Sequence, residues 1–150
     1  MIIIAIDPGN TQSAFVVMDG KYNIIDKGLE DNSVMKAYLE QEGASYDKLI
    51  IEMIASYGMS VGQTVFDTCV WIGRFIEAWG GDFELMYRKD VKMTLCGSMR
   101  AKDSNIRQAL IDRFGEVGTK KKPGKLYGVS KDIWSALAVA VCYYSSFKKI

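Results

Sequence analysis

Short apolar runs alternate with strong turn signals in the first part of the chain. Residues 2–6 are all apolar, four of them isoleucine, and Asp7-Pro8-Gly9 follows directly. This pattern predicts a strand that is buried on both faces and ends at Asp7. Residues 13–18 and 22–28 predict a second and a third strand, and the Asp19-Gly20 pair between them is typical of a tight hairpin. Three strands with such short connections predict an antiparallel meander.

After the third strand, the apolar residues recur at helical spacing, which predicts a helical crossover. A helix is expected to begin at the polar residues 31–33 and to end near residue 42. Its apolar face should consist of Val34, Tyr38 and Leu39. Residues 48–53 then predict a fourth, buried strand with Glu52 near its end. Because a helix separates this strand from the meander, the fourth strand should run parallel to the first.

The second half of the chain predicts one long helix, a short strand and three further helices. Residues 63–79 have apolar side chains at helical spacing around most of the circumference, so this helix should be covered on most sides, with Trp71 and Trp79 in the core. Residues 83–87 predict a fifth strand. Further helices are predicted at residues 89–95, at residues 102–114 and after Ser130, with Trp134 packed in the core and a loop at residues 118–128.

This order of elements predicts an α/β fold of the ribonuclease H-like type. It is a five-stranded mixed sheet, with three antiparallel and two parallel strands, flanked by helices. A length of 150 residues suits a single domain over residues 1–150. The composition, 49% hydrophobic and 25% charged, is that of a globular protein without an apolar run long enough for a membrane span. Since the N-terminal apolar run lacks a basic flank, we expect no signal peptide and a cytoplasmic location.

The residue types that are absent restrict the chemistry. The sequence has no histidine, which argues strongly against a zinc site or a serine–histidine nucleophile. Its three cysteines, Cys69, Cys96 and Cys142, are far apart and are expected to be reduced thiols in or near the core. Any catalysis must therefore use carboxylates, lysines or hydroxyls, and carboxylates favour hard cations such as magnesium.

Positive charge is concentrated in one part of the chain. The net charge is +1, but residues 88–131 contain twelve lysines and arginines against four acids and therefore carry +8. Such a one-sided excess predicts a face that binds polyanions, and the alternative is a charged surface that only contacts solvent.

Asp7 is the first candidate for chemistry. It ends a buried strand, and the carboxyl ends of strands form the edge of an α/β sheet where ligands collect. Aspartate before Pro-Gly is also a common turn sequence, so by itself Asp7 fits a ligand and a turn former equally well.

Three segments together form a recognisable pattern: Ile-Ala-Ile-Asp-Pro-Gly at residues 4–9, Ile-Ile-Glu-Met at residues 50–53 and Asp-Ile-Trp-Ser-Ala-Leu-Ala-Val-Ala at residues 132–140. Their order and spacing resemble the RuvC Holliday junction resolvases, in particular RuvC-like proteins of phages that infect Gram-positive bacteria. Residues 87–92 and 101–103 are similar to the basic region of the family. The resemblance implies a ribonuclease H-like endonuclease that resolves four-way junctions, and possibly other branched DNA, by paired phosphodiester hydrolysis as a homodimer.

The resemblance also implies a metal site. Asp7, Glu52 and Asp132 match the acids that hold two divalent ions, Mg²⁺ or Mn²⁺. For Asp132, in the first turn of the last helix, the alternative to the favoured ligand role is a structural helix cap. Many RuvC proteins have another acid three positions later, where this chain has Ser135. Ser135 can hold a metal-bound water but supplies no charge. Asp103 and Asp67 are the nearest substitutes along the sequence.

Residues that contact DNA follow from the same resemblance. Lys92 and Lys102 match positions that contact phosphates near the scissile bond, where Lys102 would also stabilise the developing charge. If it is exposed, Tyr57 would stack on an unpaired base at the junction centre. The alternative is that Tyr57 is a core tyrosine. The basic surface would be extended by Arg88, Lys89, Arg100, Lys120, Lys121 and Lys122.

Two other functions are compatible with these patterns. A protein of the same fold with Ser135 in place of an acid could bind junctions and cleave them poorly or not at all. An actin-like or kinase-like nucleotide-binding fold also begins with a strand, an aspartate and a glycine. It requires a second phosphate-binding glycine motif, which this sequence lacks.

Overall fold

A five-stranded mixed sheet forms the centre of the protein within residues 1–147, the part that the computed structural model describes. Its strands are β1 (Ile2–Asp7), β2 (Gln12–Asp19), β3 (Ile24–Asp31), β4 (Lys48–Met53) and β5 (Phe83–Tyr87), in the spatial order β3-β2-β1-β4-β5. Strands β1, β2 and β3 pair antiparallel, and β4 pairs parallel with both β1 and β5. The predicted α/β architecture, with its meander and its parallel crossover, is confirmed.

Helices cover both faces of the sheet. In residues 1–147 they are α1 (Asn32–Glu42), α2 (Gln63–Trp79), α3 (Arg88–Cys96), α4 (Asp103–Phe114) and α5 (Ile133–Phe147), with a short 3₁₀ turn at Gly43–Ser45. The predicted bounds of β4, α2 and β5 agree with the structure, because the local hydrophobic period changes sharply at their ends. None of the helices in this part of the chain combines the length and the apolar character needed to cross a membrane.

The isoleucine-rich run of β1 contributes to two separate cores. Ile3 and Ala5 pack on one face of the sheet against α5, and Leu137 in α5 is fully buried there. Ile4 and Ile6 point to the opposite face, where α1 and α2 pack. A central strand with buried faces on both sides must be apolar at every position, which explains the unbroken run.

Two details of the predicted meander and first helix are wrong. The third strand begins at Ile24 instead of residue 22, because Tyr22 adopts a left-handed backbone (φ 65°) in the turn after β2. On α1, the buried apolar residues are Met35 and Leu39, whereas Val34 is about half exposed. A short amphipathic helix can rotate by one residue with little change in its pattern, so packing decides which side faces inward.

Helix α2 is covered on one side only within residues 1–147. Thr68, Ile72, Phe75 and Trp79 form its buried side. Phe66 and Val70, one turn apart, are 55% and 61% exposed, so the prediction of coverage on most sides is wrong for a single chain. Trp79 and Trp134 are buried as predicted, whereas Trp71 is partly exposed, with the Arg74 guanidinium 4.2 Å from its ring centroid.

A buried polar network fixes the turn that follows β1. The Ser13 hydroxyl donates to Asn32 Oδ1 at 2.6 Å and accepts from the Gly9 N–H at 3.2 Å, while Asn32 Nδ2 donates to the Gly9 carbonyl at 2.8 Å. A side chain at Gly9 would collide with the carbonyl oxygen of Gln12, so the turn requires glycine. The network therefore holds the backbone that leads away from Asp7.

We expect Asn32→Ala to lower the free energy of unfolding by about 1–3 kcal/mol, because it leaves the buried Ser13 hydroxyl and Gly9 carbonyl without this partner. Urea unfolding monitored by tryptophan fluorescence measures the change. Gln41→Ala, which removes an exposed amide from the same helix, is the matched control and should change stability by less than about 0.5 kcal/mol. An equal loss in both variants would show that the network does not stabilise the turn.

Candidate active site

Two carboxylates meet at the carboxyl edge of the sheet. Strands β1 and β4 are parallel neighbours with Ile6 opposite Ile51, so the next residues, Asp7 and Glu52, end side by side. The two carboxyl groups are close enough that a hydrogen bond between them contributes to raising the pKa of Asp7. The side chain of Glu52 is 15% exposed, which places the pair largely out of solvent.

Asp132 completes the group of acids that the sequence indicated. It immediately precedes α5, and its carboxylate acts electrostatically on Asp7. Lys131 before it adopts a left-handed backbone (φ 48°), a conformation that non-glycine residues rarely take. Within residues 1–147 no three acidic or cysteine side chains form a ready-made metal cluster. The three acids therefore share one edge of the sheet without being assembled into a complete ligand set.

Burial and mutual repulsion change the ionisation of the acidic pair. Burial, together with the nearby Glu52 and Asp132 carboxylates, raises the pKa of Asp7 to about 8. Burial also raises the pKa of Glu52, although the neighbouring Arg88 guanidinium opposes that shift. At neutral pH the pair therefore retains a proton, which keeps two adjacent charges from forming in a poorly solvated site.

Arg88 is a direct neighbour of this pair. Its Nη1 lies 3.5 Å from Glu52 Oε1, and its Nη2 donates to Asp103 Oδ1. From the sequence, Arg88 is expected only as part of the DNA surface, and its ion pair with Glu52 is not predicted. A signal was present, because Arg88 directly follows β5 and the β4–β5 register places Tyr87 opposite Met53, one residue beyond Glu52.

A cavity of about 240 Å³ lies beside the acids, between α4 and the start of α5. Asp132, Ser135 and Asp103 all line it. Ser135 is thus at the same opening as Asp132, and its role in holding a water stays a prediction. Asp103 also reaches the site through Arg88, whereas Asp67 accepts a hydrogen bond from Gln63 within α2.

A second cavity, of about 210 Å³, places aromatic and basic side chains together. Its lining residues are Tyr57, Arg88, Lys89, Lys92 and Met99. Tyr57 is 63% exposed, which excludes its interpretation as a core tyrosine. The structure therefore brings the predicted stacking residue together with three of the predicted phosphate contacts.

The remaining basic candidates lie farther along the surface. Lys102 is exposed immediately before α4, where its backbone N–H donates to Asn105 Oδ1 at 2.9 Å. Arg100 lines a separate cavity with Cys96 and Asp112. Lys120, Lys121 and Lys122 are exposed in a turn closed by an isolated bridge between Gly118 and Pro123. The three cysteines are free thiols, as predicted.

Comparisons with known proteins identify the fold. No protein-family model matches the sequence, and no curated protein sequence matches it. Thermus thermophilus RuvC has a similar structure, with a TM-score of 0.75 and 16% identity over 99% of this chain and 96% of RuvC. The structure of T. thermophilus RuvC in complex with Holliday junction substrate matches with a TM-score of 0.76 and 15% identity over the same shares of the two chains. The protein thus has the ribonuclease H-like fold that RuvC has.

The raised pKa of Asp7 predicts a pH-dependent stability. The folded protein holds a proton on Asp7 up to about pH 8, whereas the carboxyl group has a pKa near 3.8 when unperturbed, so this contribution to stability is lost as pH rises from about 4 to about 8. In the presence of a chelator, Asp7→Asn should raise the melting temperature at pH 8.5 by about 3 °C or more and have a smaller effect at pH 5. Thermal unfolding across this pH range measures it.

Asp112→Asn is the control for this experiment, since it removes an exposed carboxylate from α4. It should give the same small change at every pH. A benefit of Asp7→Asn that does not grow with pH would contradict the repulsion between Asp7 and its neighbours.

Proposed function

We propose that the protein is a metal-dependent, structure-specific endonuclease that cuts four-way DNA junctions and other branched DNA by paired phosphodiester hydrolysis. The observation that carries this proposal is the Asp7–Glu52 pair, with Asp132 beside it, at the edge of a ribonuclease H-like sheet. The RuvC structure with the same fold was solved with a Holliday junction substrate, which supports the choice of DNA. The resemblance of the motifs to phage RuvC-like proteins is the support for a phage-type enzyme in the cytoplasm of a bacterial host.

We further propose Mg²⁺ or Mn²⁺ as the cofactor, with two ions per site held by Asp7, Glu52 and Asp132. The donor set fits, because these ions prefer carboxylate oxygens and the repulsion that raises the pKa of Asp7 would be relieved by a bound cation. Bound ions supply activation of the attacking water and stabilisation of the leaving oxygen. In this proposal the Ser135 hydroxyl holds a water at the site, and Lys102 stabilises negative charge on the phosphate.

The DNA would lie across the basic part of the surface. Tyr57, which is exposed in a cavity with Lys89 and Lys92, would stack on an unpaired base, an interaction worth about 1–3 kcal/mol. Lysines and arginines around this cavity would bind the backbone irrespective of sequence. Further backbone contacts are proposed for Arg88, Arg100, Lys120, Lys121 and Lys122.

A second candidate function is a junction-binding protein that does not cleave. Ser135, which stands where many RuvC proteins have an acid, favours this candidate. The two candidates share the DNA surface and differ only in hydrolysis, so one assay separates them.

Cleavage of a labelled immobile four-way junction in Mg²⁺ or Mn²⁺ tests the proposed enzyme. We expect the wild-type protein to nick opposing strands. We expect Asp7→Asn to reduce the cleavage rate by more than about a hundredfold, because loss of a direct ligand should exceed the roughly 10–100-fold loss typical for residues that only orient a ligand. Junction affinity should be retained or increased, because the variant removes negative charge and leaves the basic surface intact. Asp112→Asn should cleave normally.

The outcomes discriminate clearly between the candidates. Normal cutting by Asp7→Asn would eliminate Asp7 as a ligand. Tight binding by the wild-type protein without nicking in either metal would favour the non-cleaving candidate.

We also propose that the protein acts as a homodimer through α2. Two symmetric nicks in a four-way junction require two active sites related by a two-fold axis. Phe66 and Val70 leave an apolar stripe on the exposed side of α2, and such a stripe is suited to pairing with its copy in a second chain. The buried side of the same helix packs on the sheet, so dimerisation would not disturb the core.

Val70→Glu tests the dimer, because it places a charge in the centre of the proposed interface. We expect the wild-type protein to sediment as a dimer and Val70→Glu to weaken self-association by at least about tenfold. Val34→Glu introduces the same change at an exposed valine on α1 and should leave the dimer intact. A wild-type monomer at all concentrations up to 100-fold above the concentration used for junction binding would reject the proposal.

A further inference from the structure

Arg88 lies between the two cavities of the site. It lines the cavity that contains Asp132 and Ser135, and it also lines the cavity that contains Tyr57, Lys89 and Lys92. A DNA strand with a base on Tyr57 and a phosphate near the acids would have to pass this side chain. The Arg88 side chain is 27% exposed, so it can contact a ligand from the solvent side without leaving its place.

The two partners of Arg88 differ greatly in their exposure. Nη1 faces Glu52, whose side chain is 15% exposed, and Nη2 faces Asp103, whose side chain is 86% exposed. Exchange of Asp103 for another anion requires no buried group to be uncovered. Ion pairs with such an exposed member are weak, whereas the Glu52 side of the guanidinium is shielded. The guanidinium thus has a fixed edge, where Nη1 faces Glu52, and an exchangeable edge, where Nη2 faces Asp103.

We propose that the exchangeable edge of Arg88 is a subsite for a DNA backbone phosphate, and that Asp103 occupies this subsite when DNA is absent. The inference rests on the proposed function and adds an internal competitor to it. A guanidinium binds phosphate and carboxylate oxygens with the same fork of N–H donors, so Asp103 is a chemical substitute for the phosphate. Glu52 holds the other edge and keeps the fork oriented.

The surroundings of Arg88 favour a phosphate over a carboxylate once DNA is bound. Lys89 and Lys92 flank it in one cavity, and Arg107 and Lys131 flank it in the other. These cations attract a polyanion along the whole path between the cavities, whereas Asp103 contributes a single charge. Asp103 is therefore an internal competitor, which occupies the exposed edge of the guanidinium until the DNA strand replaces it.

Removal of the competitor should strengthen DNA binding through Arg88. The experiment measures the affinity of a fluorescently labelled immobile four-way junction, in a chelator and at several salt concentrations, for the full-length protein and its Asp103→Asn and Asp112→Asn variants. Both variants remove one exposed carboxylate from α4, so Asp112→Asn measures the general effect of charge. We expect Asp103→Asn to bind about two- to fivefold more tightly than Asp112→Asn, with a salt dependence steeper by up to about one unit of slope.

Introducing Asp103→Asn into an Arg88→Gln variant tests whether the gain in junction affinity acts through Arg88. There, Asp103→Asn should bind no more tightly than Asp112→Asn, because the guanidinium that both anions share is missing. Arg88→Lys keeps the charge beside Glu52 and supplies the same comparison if the glutamine variant does not fold, with a reduced gain because lysine lacks the fork. Thermal unfolding monitors the folding of each variant.

Two results would overturn the inference: equal affinities for Asp103→Asn and Asp112→Asn, or a gain from Asp103→Asn that persists without Arg88. Failure of the proposed function has a different signature, since the wild-type protein would then not bind the junction at all or would bind it no better than linear duplex. Binding is measured without metal, so the test does not depend on cleavage.

Discussion

The structure is organised around two carboxyl groups that are forced together at the end of a parallel strand pair. The register of β1 and β4 places Asp7 and Glu52 side by side, and burial removes most of the water that would solvate their charges. Charged groups in such a place are stable only when they are protonated, paired or bound to a cation. The raised pKa of Asp7 reflects this constraint. A site of this kind has a cost in stability that a purely structural turn would not have.

The surrounding structure limits that cost in two ways. The buried Ser13–Asn32 network holds the turn after Asp7, so the acid remains at the sheet edge despite the repulsion. Arg88 supplies a positive charge next to Glu52, and this charge lowers the pKa of Glu52 against the effect of burial. In the absence of a metal the pair is stabilised partly by a proton and partly by a guanidinium.

The two faces of the sheet have separate tasks in the proposed enzyme. Helices α1 and α2 cover one face, and in the proposed dimer the exposed Phe66 and Val70 of α2 would contact a second chain. Helices α3, α4 and α5 cover the other face, and the basic segment is concentrated in and between them. Asp7 and Glu52 belong to strands whose residues contribute to both cores. A dimer formed through one face would therefore leave the basic side of each subunit available for DNA.

Local patterns in the sequence determined the bounds of β1, β4, β5 and α2, and the resemblance to RuvC proteins indicated which acids to compare at the sheet edge. An isoleucine run followed by Asp-Pro-Gly, or a helical repeat ended by glycine, depends on neighbours along the chain, so β1, β4 and α2 could be predicted. Only the tertiary structure decided that Val34 is exposed, that Tyr57 is outside the core and that Arg88 joins Glu52 to Asp103. These features depend on how separate elements are rotated and packed against one another, and the same sequence pattern is compatible with several such arrangements.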